Sequence, residues 1–302
     1  MKRIKEKVEI KKAFPEDFEE IINVITSVFD VGGNEKEQHL KSKNKFQYLF
    51  KNNWHFEENH IGYKLEGIDG EILGFWSCIF SVRKINGKAH RVCNFSTWAV
   101  KKNYRYCSLL LTKAVNELKD FSLTILSPDE TSLEVFTKLY KFKPLEENLI
   151  IIPLLPPIRS SGKSKFIFFS EKDSPPPMLK EEHRQLFIDH CKFNASFLLV
   201  HEGKDYCFLI IKKREMKHLP FSYIYYMSDP KCFLRHVSEI RYSVNKRLKT
   251  IALIGEERRF QFGRPFFSFK KSLPRPFLFK SKDLRPEDLD GLYSEYFLIK
   301  NL

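Results

Sequence analysis

The stretch Asn94-Phe-Ser96-Thr-Trp98-Ala-Val100-Lys-Lys102-Asn-Tyr-Arg105-Tyr106-Cys107-Ser108-Leu109-Leu-Leu111 changes character halfway along. Up to Val100 it alternates and reads as the end of a strand that begins near His90. From Ser108 the apolar positions Leu110, Ala114, Val115, Leu118 and Phe121 repeat at helical spacing, which predicts a helix over 108–121. The turn between them holds Lys101, Lys102 and Arg105 and no Asp or Glu. A helix N-terminus leaves amide N–H groups unpaired and carries positive partial charge, so a strand-turn-helix of this charge suits a phosphate. By the period-two rule, Asn94, Ser96 and Trp98 share one face of the strand, and Cys93, Phe95, Thr97 and Ala99 the other.

Upstream, 8–14 alternates as a strand. Pro15 then opens a helix with the stripe Phe18, Ile21, Ile22, Ile25, Val28 and Phe29, and a second helix is expected near 35–52. Asp69-Gly70 and Asn86-Gly87 are hairpin turns joining strands over 61–66, 72–83 and 90–100 into an antiparallel meander. Downstream come a strand at 123–126, a helix to about residue 141 with Ser127 as N-cap, Pro128 first and Glu130 closing a capping box, and a strand at 148–155.

Six prolines lie between Pro153 and Pro177 and mark a linker. Beyond it the order recurs in reduced form. Strands at 197–200, 206–212 and 222–227 precede a helix capped by Asp229-Pro230, with Phe233, Val237, Ile240, Val244 and Leu248 inside, and a strand at 250–254. The expected division is 1–155, a linker over 156–178, and 179–302. Here the helix N-terminus is filled by the Asp229 carboxylate, and Pro230 has no N–H to give, so the second half is expected to lack a phosphate site.

The 302 residues are 42% hydrophobic and 30% charged, which supports a packed core and excludes wholesale disorder. The net charge of +14 predicts attraction to an anionic partner. The longest apolar run, 149–155, contains Pro153 and is far short of a bilayer span, so no membrane insertion is expected. The charged start Met1-Lys-Arg-Ile-Lys-Glu-Lys is unlike a signal peptide. Six scattered cysteines with no CxxC pair read as free thiols in a reducing, cytoplasmic setting.

Leu73-Gly74-Phe75, Trp98-Ala-Val-Lys-Lys-Asn-Tyr-Arg105 and the Leu-rich segment after them resemble the GNAT acyltransferases, across roughly residues 1–155. The resemblance implies an α+β fold of α/β/α type. It extends to two tandem GNAT-like domains, each a mixed, mostly antiparallel sheet flanked by helices, the second a degenerate copy. It implies acetyl-CoA or another acyl-CoA as donor, no metal, and transfer of the acyl group to an amine or hydroxyl of a small-molecule acceptor held between the domains. The matching donor-binding positions are Trp98, Val100, Lys102, Arg105, Tyr106, Cys107, Ser108 and Leu109. The family usually has Gly, then Gly or Ala, where this chain has Ser108 and Leu110. The tyrosine that protonates the leaving thiolate in many members aligns with Phe136 or Thr137, neither of which can do so. An acyl carrier protein is an alternative donor that would match the basic charge.

The acceptor must lose a proton as it attacks, so a general base is sought. His90, Asn94 and Ser96 are the catalytic candidates on the central strand, and only His90 titrates usefully. Two other readings stay open: an aminoacyl-tRNA-dependent transferase of the Fem type, and a non-catalytic binding protein. Nucleic acid other than that tRNA is not expected.

Gly162-Lys163-Ser164 echoes a P-loop without its first glycine. His183, His190 and Cys191 lack a further ligand at zinc spacing. The segment 258–280 interleaves Arg and Lys with Phe and is expected to be a strand pair burying alternate rings. The run 292–299 alternates like a last core strand.

Overall fold

The computed structural model describes residues 7–29, 46–47, 54, 56–57, 59–85, 87–157, 164–203 and 205–298. The helix expected near 35–52 falls almost wholly outside them, as do Gly162 and Lys163. The chain divides into two compact units, the first comprising 1–143, 278–283 and 293–299, the second 144–277, 284–292 and 300–302. The division thus falls ahead of the proline-rich segment rather than within it.

In unit 1, β1 (Val8–Ala13), β2 (Gly62–Gly67), β3 (Ile72–Ile85) and β4 (Lys88–Val100) form the antiparallel meander expected from the hairpin turns. Gly70, at φ +84°, and Gly87, at φ +80°, supply the left-handed backbone that these turns demand. Between β1 and β2, α1 (Phe18–Val28) buries Ile21, Ile22, Val24 and Ile25 against β3 and β4. β5 (Ser122–Ile125) pairs parallel with β4.

The helix expected over 108–121 is shorter and tighter. A 3-10 turn, Lys102–Cys107, leads into α2 (Ser108–Leu111), and a second 3-10 segment, Thr112–Asn116, follows. The Thr112 hydroxyl donates to the Leu109 carbonyl (2.8 Å) and meets the Tyr140 hydroxyl (2.8 Å), offering the backbone an alternative to the α-helical ladder. Of the expected inner face, Ala114, Val115, Leu118 and Phe121 are in the core and Leu110 is partly buried against it; Leu111 and Phe136, from α3 (Glu130–Lys138), join them.

Unit 2 carries the second run of strands and helices. β6 (Lys143–Pro153) takes the place of the strand expected at 148–155, and β7 (Lys165–Phe169) lies inside the predicted linker, paired antiparallel with β8 (Ser196–Glu202). Prolines punctuate that segment without breaking it, because none falls between 165 and 169. α4 (Glu181–His190) precedes β8; β9 (Asp205–Met216) and β10 (Leu219–Met227) continue the meander. α5 (Pro230–Arg235) and α6 (Val237–Leu248) then lead to β11 (Ala252–Glu256), which pairs parallel with β10 and antiparallel with β6. Asp229 caps α5 as expected, accepting from the Cys232 amide at 2.9 Å.

β12 (Phe269–Lys280) runs through the basic, Phe-rich segment, and its end, Leu278–Lys280, pairs antiparallel with β5 in unit 1. The expected burial of rings holds at Phe260, Phe277 and Phe279 and fails between them, where Phe262, Phe266, Phe267 and Phe269 are all exposed. The expected last strand is instead α7 (Glu295–Leu298), also in unit 1. Leu292, Tyr293, Ser294, Glu295, Phe297 and Leu298 are all buried, so period-two patterning carries no information there.

Candidate functional site

β4 and β5 begin side by side and then part. They are paired from Val92↔Ser122 to Phe95↔Ile125, where β5 ends, while β4 runs on through Ser96 to Val100. Opposite, β3 stays paired with β4 to Gly74↔Val100. The Lys101 amide donates to the Leu73 carbonyl at 2.9 Å, so Leu73 and Lys101 form a hydrogen-bonded antiparallel pair. Such pairs alternate, which turns the backbone groups of Trp98 and Val100 away from β3, toward the side that β5 has left. Gly74 belongs to this geometry, because a Cβ there would lie 2.9 Å from Val100 Cγ2 and 3.2 Å from the Ala99 carbonyl oxygen.

A bulge lies at the fork. Trp76 is opposite Trp98 but Cys78 is opposite Phe95, so Ser96 and Thr97 face the single residue Ser77. The extra residue inverts the expected parity of β4. Trp98 packs with Cys93, Phe95 and Val100 on the core face, with ring contacts to Trp76 and Phe136, and not with Asn94. Among the described residues, the buried Trp98 Nε1 has no hydrogen-bond partner.

On the other face a carboxylate lies at the fork. Asn94 Nδ2 donates to Glu295 Oε2, the Ser127 hydroxyl donates to Glu295 Oε1 at 2.6 Å, and the Thr124 hydroxyl donates to Asn94 Oδ1 at 3.0 Å. Asn94, Thr124 and Glu295 are buried, whereas Ser127 is exposed. Burial pushes the Glu295 carboxyl above its ordinary value, and the hydroxyl and amide donors offset only part of that rise. The result is a buried carboxyl of raised basicity, with one exposed hydroxyl reaching it from the surface.

Ser127 is free to do this because it is not the helix cap. Asp129 caps α3, accepting from the Ser132 amide at 2.7 Å, two residues later than the sequence suggested. Either residue suits an N-cap; Asp129 adds a formal charge at the positive end of the helix.

The remaining predicted positions fall as follows. Ser96 is in the bulge, half-buried, two residues from Asn94. His90 pairs with Arg83 near the β3–β4 turn, four residues from Asn94 and so about 13 Å away along the strand. Lys102, Arg105, Tyr106 and Leu109 are exposed on the turn, Ser108 is half-buried, and Cys107 is buried. The Ser108 amide donates to the Arg105 carbonyl, closing the 3-10 turn, so that N–H is not available to a phosphate. Leu110 lies against the core rather than in the turn. Sequence reasoning missed Glu295, whose one signal was a lone carboxylate inside an otherwise uncharged run, Leu292–Ile299.

In unit 2, the His183 ring meets the hydroxyls of Tyr206 (2.6 Å) and Tyr226 (3.1 Å), and the His190 ring meets the carbonyls of Leu186 (2.8 Å) and Leu292 (3.2 Å). Burial lowers both histidines to about 4.

No protein-family model matches the chain, and no curated protein sequence does. Solved structures do. A GCN5-related N-acetyltransferase from Anabaena variabilis superposes with a TM-score of 0.56 at 8% identity, covering 90% of this chain and 72% of its own. A probable N-acyltransferase from Enterococcus faecalis gives 0.54 at 11% identity, over 93% and 74%. A GCN5-related N-acetyltransferase from Kribbella flavida gives 0.53 at 9%, over 92% and 72%. At these identities the likeness is one of fold: the chain has the GNAT fold, a mixed sheet flanked by helices.

Proposed function

We propose that the protein is an acyl-CoA-dependent acyltransferase acting on an amine or hydroxyl of a small acceptor. The observation that carries this reading is the fork, where Trp98 and Val100 turn backbone donors and acceptors into the space beyond the end of β5. An extended amide-containing chain fits such an edge as an added strand does. The pantetheine arm of coenzyme A is a chain of that kind. The exposed cations Lys102 and Arg105 stand at the head of the opening, where its pyrophosphate would be held. Leu110 packs inward and leaves the turn unobstructed. Trp98 also carries a buried Nε1 without a partner among the described residues, a further donor on the residue that lines the fork.

Bound acyl-CoA supplies an activated thioester carbonyl. Glu295 is the general base in this reading, accepting the acceptor's proton through the Ser127 hydroxyl, which passes on its own proton as it receives one. Asn94 fixes the far oxygen of the carboxylate, and Thr124 fixes Asn94. Asn94 is thus a positioning residue rather than an acid or base, and Ser96 lines the fork as an acceptor contact. His90 is too far along β4 to share this proton. The enzymes named in the comparisons support the chemistry through fold only.

Unit 2 is read as a degenerate copy of the same plan, with a meander, helices and a parallel strand but no donor site. Asp229 occupies the head of α5, and Pro230 offers no N–H there. Calorimetric titration with CoA, acetyl-CoA and a longer acyl-CoA tests the proposal. Saturable micromolar binding, weakened about tenfold or more by Arg105→Gln, is the expected result. No heat with any of the three ligands would overturn it.

A further inference from the structure

The turn after β11 displays aromatic rings that a folded chain ordinarily hides. Phe262, Phe266, Phe267 and Phe269 are 54%, 75%, 58% and 61% exposed. The loop is held in this form by its own hydrogen bonds. Arg264 donates from Nε to the Ser268 hydroxyl (3.2 Å) and from Nη2 to the Ser268 carbonyl (3.0 Å), and the Ser268 hydroxyl donates to the Pro265 carbonyl (2.6 Å). The rings are therefore presented rather than merely left over.

Their surroundings are cationic. From Arg258 to Lys282 the sequence holds eight Lys or Arg and no Asp or Glu. Arg264, Lys270, Lys271 and Arg275 are exposed, and Lys231 lies over the Phe262 ring at 4.6 Å. Among the described residues, only Lys270 of these cations has a carboxylate beside it, Glu257 at 2.8 Å. An apolar tip ringed by cations complements a surface that is anionic outside and apolar beneath.

We propose that this loop docks on a bilayer containing anionic lipid, the phenyl rings entering the headgroup–acyl boundary and the cations meeting the headgroups. This is adsorption, and it agrees with the lack, among the described residues, of any helix long and apolar enough to cross a membrane. A single-stranded nucleic acid fits the geometry less well. Successive bases need ring faces set side by side, whereas the adjacent Phe266 and Phe267 rings meet edge to face, 4.7 Å apart at 79°.

The test is co-sedimentation of the full chain with phosphatidylcholine vesicles, with and without phosphatidylglycerol, alongside a labelled oligouridylate. Binding is expected to the anionic vesicles only and to weaken as salt rises. It should fall about tenfold or more in Phe266→Ser/Phe267→Ser, and roughly fivefold in Lys271→Ala. These side chains face water in the free protein, so both variants should unfold at the parent temperature. Absence of vesicle binding would overturn the proposal, as would vesicle binding unchanged by both variants. Tight oligouridylate binding that the Phe variant abolishes, without vesicle binding, would assign the loop to nucleic acid instead.

Discussion

Glu295 carries the chemistry in this account, and its environment makes opposite demands on activity and stability. A buried carboxyl with a raised pKa is stabilised in its protonated form. The native state then holds a proton that the unfolded chain has released, so stability falls as pH rises from the ordinary carboxylate value through the raised one. Glu295→Gln keeps the shape and removes the charge, and Ser127 can accept from the new amide. The variant should melt higher than the parent at neutral pH, with the difference vanishing in acid, while turnover falls about 100-fold or more. Thermal melts across pH, paired with initial rates, check both halves. Ser127→Ala removes both the hydroxyl that relays the proton and a donor that holds the Glu295 pKa down, so the rate should fall and the alkaline-going rise of what remains should move to higher pH. A pH–rate profile that does not move would remove Ser127 from the proton path.

At the scale of elements, the fork depends on backbone rather than side chains, and it can be altered without touching the β3–β4 ladder. The Val100 amide faces away from β3, so Val100→Pro deletes a donor from the opening and costs no ladder hydrogen bond. Acetyl-CoA affinity should drop about tenfold, one lost hydrogen bond, with little change in melting temperature. Calorimetry beside a thermal melt separates this from general damage. The β1–β4 meander, its hairpin turns and α1 were legible because Asp69-Gly70, Asn86-Gly87 and the Ile21, Ile22, Ile25 stripe act locally. The bulge at Ser96–Thr97 was not, because nothing in β4 alone reveals that β3 supplies only Ser77 opposite them. That single residue reversed the face assigned to Trp98 and left Asn94 beside the carboxylate.

For the molecule as a whole, the GNAT fold was readable from element order and from the motif around Trp98–Arg105, but the site was only half readable. Its strand residues lie within the motif, whereas Glu295 arrives from 201 residues away in sequence and makes contacts that no local pattern encodes. Unit 2 should respond to acid in its own way. His183 and His190, lowered by burial to about 4, are neutral when folded, and the unfolded chain takes up their protons first. Stability should therefore decline as pH falls below about 6.5 and level off near 4, at an upper estimate of about 3 kcal/mol for each histidine. Denaturant unfolding at intervals of pH reads the slope, and His190→Gln should make it shallower.

Amide hydrogen exchange with and without acetyl-CoA tests the donor site most directly. Peptides spanning Trp98 to Arg105 should become strongly protected on binding, as the exposed edge of β4 gains partners. Bound acetyl-CoA that leaves this segment exchanging as before, with protection elsewhere, would contradict the proposed donor site.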